Sequence, residues 1–156
     1  SDLIFNYKAK LLEVDYNSII CNAAWNMIQL GNYHIALHYL GQRTDGCLEL
    51  SYFHFNYVWV LFKTGQEELA IIYINDNIKK VKDAYLKRLM RIVECLIEDP
   101  LGTELLRRLK ECEKYLDKTA SDQDAFLFVN NLLLEYYQRK GNKKQLIKYL
   151  QKRISL

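Results

Sequence analysis

The chain has 156 residues, half of them hydrophobic and 26% charged, and a net charge of +3. That is the composition of one ordinary globular domain with a real core. It excludes a disordered segment, and the charge is too small to imply a nucleic-acid partner by itself.

Hydrophobic spacing is helical nearly throughout and predicts helices near 3–14, 17–30, 32–43, 48–64, 66–81, 84–98, 101–117, 122–140 and 142–154. The chain begins at Ser1 directly on a helical pattern, without an initiator methionine, which reads as a piece of a longer protein. Gly31, Gly65 and Gly141 each follow a long apolar-faced helix and precede another, where a left-handed C-terminal cap is cheapest for glycine. Pro100 ends the helix closing in "ECLIED" and is tolerated in the first turn of the next. "TASD" before "QDAFLF" supplies N-cap hydroxyls and a carboxylate. No basic-then-apolar leader is present, and no apolar run approaches the ~18 to 20 residues of a membrane span.

Two stretches match at an offset of 34 residues: "WNMIQLGNYHIALHYL" from Trp25 and "WVLFKTGQEELAIIYI" from Trp59. Asn22 pairs with Asn56, Trp25 with Trp59, Gly31 with Gly65, Ala36 with Ala70 and Tyr39 with Tyr73, while Leu40 meets Ile74. A helical hairpin buries only part of its apolar stripe, so repeated hairpins stack to complete a core. The segment around "NNLLLEYYQRKGNKKQLIKYL" keeps the glycine but places Leu146 where alanine is expected.

Helix–turn–helix units at this period resemble the tetratricopeptide repeat. Ala36 and Ala70 correspond to the alanine of that family's A-x3-F element, with Leu40 and Ile74 in its aromatic slot. The W-x2-L-G-x2-Y element is degenerate: Ile20, Ala23, Ala24 and Met27, then His54, Tyr57, Val58 and Leu61. The resemblance implies an all-α, right-handed superhelical array of antiparallel helix pairs over residues 1–156. Its units fall at about 17–50, 51–83, 84–120 and 121–156, with 1–16 a partial preceding unit. It covers 17–77 closely and the rest loosely.

The family's groove-facing positions carry over to Cys21, Trp25 and Ile28 in one unit and to Tyr52, Phe55, Trp59 and Phe62 in the next, with Asn56 beside them. Spacing alone puts Phe55, Trp59 and Phe62 on one helical face, and His54, Tyr57, Val58 and Leu61 on a second. A helix apolar on two sides must be covered on both. The aromatic stripe is therefore either core or a groove for a partner's helix or peptide. Some such repeats clamp the acidic tail of heat-shock chaperones with lysine and asparagine. Cys21 and Trp25 stand at those positions here, so a tail carboxylate loses its charge-assisted partner.

From Arg139 to the end the basic residues Arg139, Lys140, Lys143, Lys144, Lys148, Lys152 and Arg153 meet no acid. They form either the solvated face of the last helix or a patch for RNA or an acidic partner. Cys21, Cys47, Cys95 and Cys112 lack paired spacing and read as reduced thiols of a cytoplasmic or nuclear protein. His34 and His38 stand four apart in "HIALH", a spacing that binds zinc, but without the HExxH glutamate or an evident third ligand. No phosphate loop, serine elbow or carboxylate cluster appears, so no catalytic residue, metal or cofactor is expected. The expected function is a non-enzymatic protein–protein interaction scaffold within a larger complex. Nucleic-acid binding and self-association of the array are the alternatives.

Overall fold

The structure is a computed structural model. It describes the backbone of residues 2–43, 46–47, 50–119 and 123–155, and the side chains of 16–43, 46–47, 50–116 and 123–155. All regular structure among the described residues is helical. In chain order the helices are α1 (Asp2–Gln29), α2 (Tyr33–Gly41), α3 (Ser51–Lys63) and α4 (Glu67–Asn77), the last running into a 3-10 turn (Ile78–Lys80). They are followed by α5 (Ala84–Glu98), α6 (Thr103–Thr119), α7 (Gln123–Lys140) and α8 (Lys143–Ile154). The chain divides after Met90, inside α5, into two compact units, 1–90 and 91–156.

The expected break near residue 16 does not exist, and α1 runs unbroken over 28 residues. Asp15, Asn17 and Ser18 are residues that favour helix starts, but nothing in this stretch forbids a helix. Asn17 is buried, and its Oδ1 accepts from the Cys47 thiol at 3.2 Å. A tertiary bond has taken the side chain that would otherwise cap a new helix. Pro100 lies in the connection between α5 and α6 rather than in the first turn of α6. The cap expected from "TASD" falls on 120–122, outside the described residues.

Three turns share one construction. Gly31, Gly65 and Gly141 have φ of 75°, 82° and 70°, the left-handed region where a side chain is strained. At each, the glycine N–H and the next residue's N–H donate back to the preceding helix. The pairs are Gly31 to Ile28 O and Asn32 to Met27 O, Gly65 to Phe62 O and Gln66 to Leu61 O, and Gly141 to Gln138 O and Asn142 to Tyr137 O. This double bond satisfies carbonyls the helix end would leave orphaned and reverses the chain at once. The following helix starts within two residues, and the two pack as an antiparallel hairpin: α1 with α2, α3 with α4, α7 with α8.

In the first unit α2 lies against both α1 and α3. Ala24, Ala36, Leu40, Phe53, Val58, Ala70 and Ile74 are fully enclosed there. The 81–83 connection is pinned by Lys82 N–H donating to Ser51 Oγ at 3.1 Å, and Asp83 Oδ1 accepts from Leu86 N–H at 2.9 Å as the cap of α5. In the second unit α7 packs between α6 and α8, enclosing Leu105, Leu109, Cys112, Leu133 and Tyr149.

Candidate functional site

Helix α3 is largely enclosed. Phe53, His54, Phe55, Asn56, Val58, Trp59, Val60 and Leu61 are all buried, so both of its apolar sides are covered. Phe55 stacks on Trp59 with ring centroids 6.2 Å apart, and Trp59 meets Phe62 at 5.6 Å. Lys63 closes the row, its Nζ 5.1 Å from the Trp59 centroid and 5.8 Å from that of Tyr33. Ile28, Phe55, Asn56 and Trp59 are therefore interior residues, and Phe62 is half-buried. Trp25 and Tyr52 remain at the surface, 38% and 41% exposed.

Both are linked to the position of Cys21. The Tyr52 hydroxyl bonds to the Cys21 thiol, which in turn contacts Cys47, and Trp25 follows Cys21 one turn along α1. Burial pushes the Cys21 thiol up to about 12, with Cys47 adding to the effect. Burial thus favours the protonated thiol at neutral pH. Burial also raises Tyr52 above the usual phenol range.

His54 is enclosed, and its Nδ1 bonds the Tyr73 hydroxyl at 2.7 Å. Tyr73 meets Tyr57 edge-on at 4.8 Å, and the Arg43 guanidinium lies 5.1 Å over the Tyr57 ring. Burial pushes Tyr73 up to about 12 despite the opposing charge of Arg43. His38 Nε2 bonds the side chain of Gln42 at 3.0 Å, and His34 is exposed. Among the described residues no group of three His, Cys, Asp or Glu side chains is placed to hold a metal. Nor is any described helix long and apolar enough to cross a membrane.

The C-terminal basic residues separate into two sets. Lys152 is half-buried and pairs with Glu113 at 3.2 Å. Glu113 also accepts from the Tyr149 hydroxyl at 3.1 Å, and Lys110 donates to that same hydroxyl. Tyr149 stacks on Tyr137 at 5.6 Å, while the ammonium groups of Lys110, Lys148 and Lys152 stand 4.8, 5.8 and 5.9 Å from its ring centroid. Burial lowers the Lys110 ammonium below its usual range, with Lys148 and Lys152 adding to the shift and Glu113 opposing it. Lys143 and Lys144, by contrast, are exposed in the first turn of α8.

One feature of the second unit has only a faint signal in the sequence. A groove of about 470 Å³ runs between α7 and α8, lined by Asn131, Leu134, Glu135, Leu146, Leu150 and Arg153. The departure from alanine at Leu146 marks it, but its openness depends on what packs beyond the hairpin, which spacing does not encode. Compared with protein-family models, with curated proteins and with solved structures, the chain has no match.

Proposed function

We propose that the chain is a non-enzymatic protein-interaction scaffold: a tetratricopeptide-like, right-handed array of stacked hairpins. In this reading it holds a partner's helix or peptide on the α1–α3 face. The observation that carries it is the exposure of two large aromatics, Trp25 on α1 and Tyr52 on α3, while Phe55 and Trp59 are buried. Large aromatics held by packed helices lose little freedom on binding and dominate interface energies. The glycine turns shared by three hairpins support the repeat architecture, and four cysteines that form no disulfide suit a reducing compartment such as the cytoplasm.

The test uses Trp25→Ala with Tyr52→Ala. Both side chains are partly exposed, so helix content by circular dichroism should hold. Proteins recovered from cell extract with the wild type should be lost from the folded variant. Recovery unchanged by the double substitution would overturn the reading.

A further inference from the structure

We propose that the second unit binds one buried water molecule as a structural ligand, bonded at once to Glu113 of α6, Asn130 of α7 and Lys152 of α8. The site is independent of the reading that rests on Trp25 and Tyr52. Two observations meet there. Asn130 is 4% exposed, and its Oδ1 accepts no hydrogen bond from the described residues. Its Nδ2 donates to the Tyr149 carbonyl at 3.4 Å, which orients the amide, because the opposite orientation would set one oxygen against another. A buried amide oxygen without a donor carries the whole cost of its desolvation. The second observation is a small cavity, lined by Asn130 together with Glu113, Leu116, Phe126, Val129 and Lys152. The centre of a water molecule has about 10 Å³ to move in there, which admits one such molecule.

The polar groups of the wall select the occupant. Asn130 Oδ1 and the Glu113 carboxylate only accept, whereas the Lys152 ammonium only donates. Glu113 Oε2 takes one Lys152 proton at 3.2 Å and Oε1 takes the Tyr149 hydroxyl at 3.1 Å, so each oxygen keeps a lone-pair direction to spare. Lys152 likewise keeps further protons to donate. An occupant that meets all three groups must donate twice and accept once. Water does this as a single neutral molecule. A metal cation or ammonium ion accepts nothing from Lys152 and stands against its charge. A simple anion donates to neither oxygen. Leu116, Phe126 and Val129 complete the wall with apolar surface. Three partners is also the usual number for a buried water. The direct bonds of this cluster join α6 to α8 and α7 to α8. The water adds one between α6 and α7, so that all three helices of the unit meet on one polar network.

The experiment pairs a crystal structure of the whole chain with oxygen-17 magnetic relaxation dispersion, which counts long-lived internal waters in solution. The crystal structure should place a single water within about 2.7–3.2 Å of Asn130 Oδ1, Glu113 and Lys152. Asn130→Leu removes the acceptor with a side chain of similar size and should lower the dispersion count by one water. Asn131→Leu, an exposed neighbour on the same helix, should leave the count as it is in the wild type. Circular dichroism checks that both variants fold. A count that Asn130→Leu does not change would overturn the proposal, as would a protein group found donating to Asn130 Oδ1. So would an ion at this position, recognised by anomalous scattering, or a crystal structure with no density there. If Asn130→Leu failed to fold, the crystal structure of the unaltered chain would decide alone.

Discussion

The α1–α2 and α7–α8 hairpins are closed by the same glycine turn and the same pair of backbone bonds, yet their outer sides differ. In the first, a small residue and a leucine, Ala36 and Leu40, lie flat beneath α3. In the last, the fifth and ninth residues after the glycine, Leu146 and Leu150, line an open groove together with Glu135 and Arg153. The residue before the ninth position differs as well: Tyr39 is half-buried, whereas Tyr149 is 1% exposed and held by Lys110 and Glu113. A common turn fixes how a hairpin closes. Whether its outer face is enclosed depends on what packs against it: the ninth residue is leucine in both hairpins, 0% exposed at Leu40 and 43% at Leu150.

The largest expected contrast separates the interior of the first unit from the rim of the second. Trp59 is 6% exposed and packed between Phe55 and Phe62, so Trp59→Ala should cost about 3–5 kcal/mol by leaving a cavity. Leu150→Ala removes a side chain that is 43% exposed and should cost about 1 kcal/mol or less. Urea unfolding of the two variants measures both. Equal losses would mean that the groove is a packed interior and that the two hairpins do not differ as described.

An exchange of residues at the fifth position sharpens the comparison at smaller size. Ala36→Leu places a Leu146-like side chain where α1, α2 and α3 meet with no exposed surface, and should destabilise by about 1–3 kcal/mol through overpacking. The reciprocal Leu146→Ala opens only the wall of a groove and should change stability by about 0.5 kcal/mol. Thermal denaturation of both variants tests the pair. If Ala36→Leu were neutral, alanine at that position would not be there for close helix contact.

Much of this was legible from spacing alone. The three glycines announced their turns because only a residue without Cβ sits cheaply at positive φ, and the helices followed from apolar period. The false break near residue 16 arose because local preference favoured a cap at Asn17, while Cys47, thirty residues away, had claimed that side chain. The aromatic period of Phe55, Trp59 and Phe62 was equally plain, but period states which residues share a face and not whether that face is covered. The structure encloses Phe55 and Trp59 and leaves Trp25 and Tyr52 out. The cluster around Tyr149 was invisible for the same reason: Lys110 lies 39 residues away in sequence and Glu113 lies 36.

The smallest contrast is silent at neutral pH and separates the two units in alkali. In the first unit Cys21 and Tyr73 are both pushed up to about 12 by burial, and Tyr52 is raised as well. Unfolded, these groups release their protons near about pH 8.5 to 10, whereas the folded chain holds them longer. Above about pH 9 the native state therefore binds more protons than the unfolded state, and stability falls as pH rises through that window. In the second unit burial raises Cys95 and Tyr137 but lowers Lys110. A lowered ammonium has the opposite sign: the native state binds fewer protons, so its contribution rises with pH and offsets part of the loss. Both tryptophans, Trp25 and Trp59, lie in the first unit, so tryptophan fluorescence follows that unit while circular dichroism follows the whole chain. Between about pH 9 and 11 the fluorescence transition should move to lower temperature faster than the dichroism transition. Cys21→Ser with Tyr73→Phe should flatten the difference. Coincident transitions that shift together would mean that alkali acts on both units alike, leaving the buried thiol and phenol with no separate effect on the first.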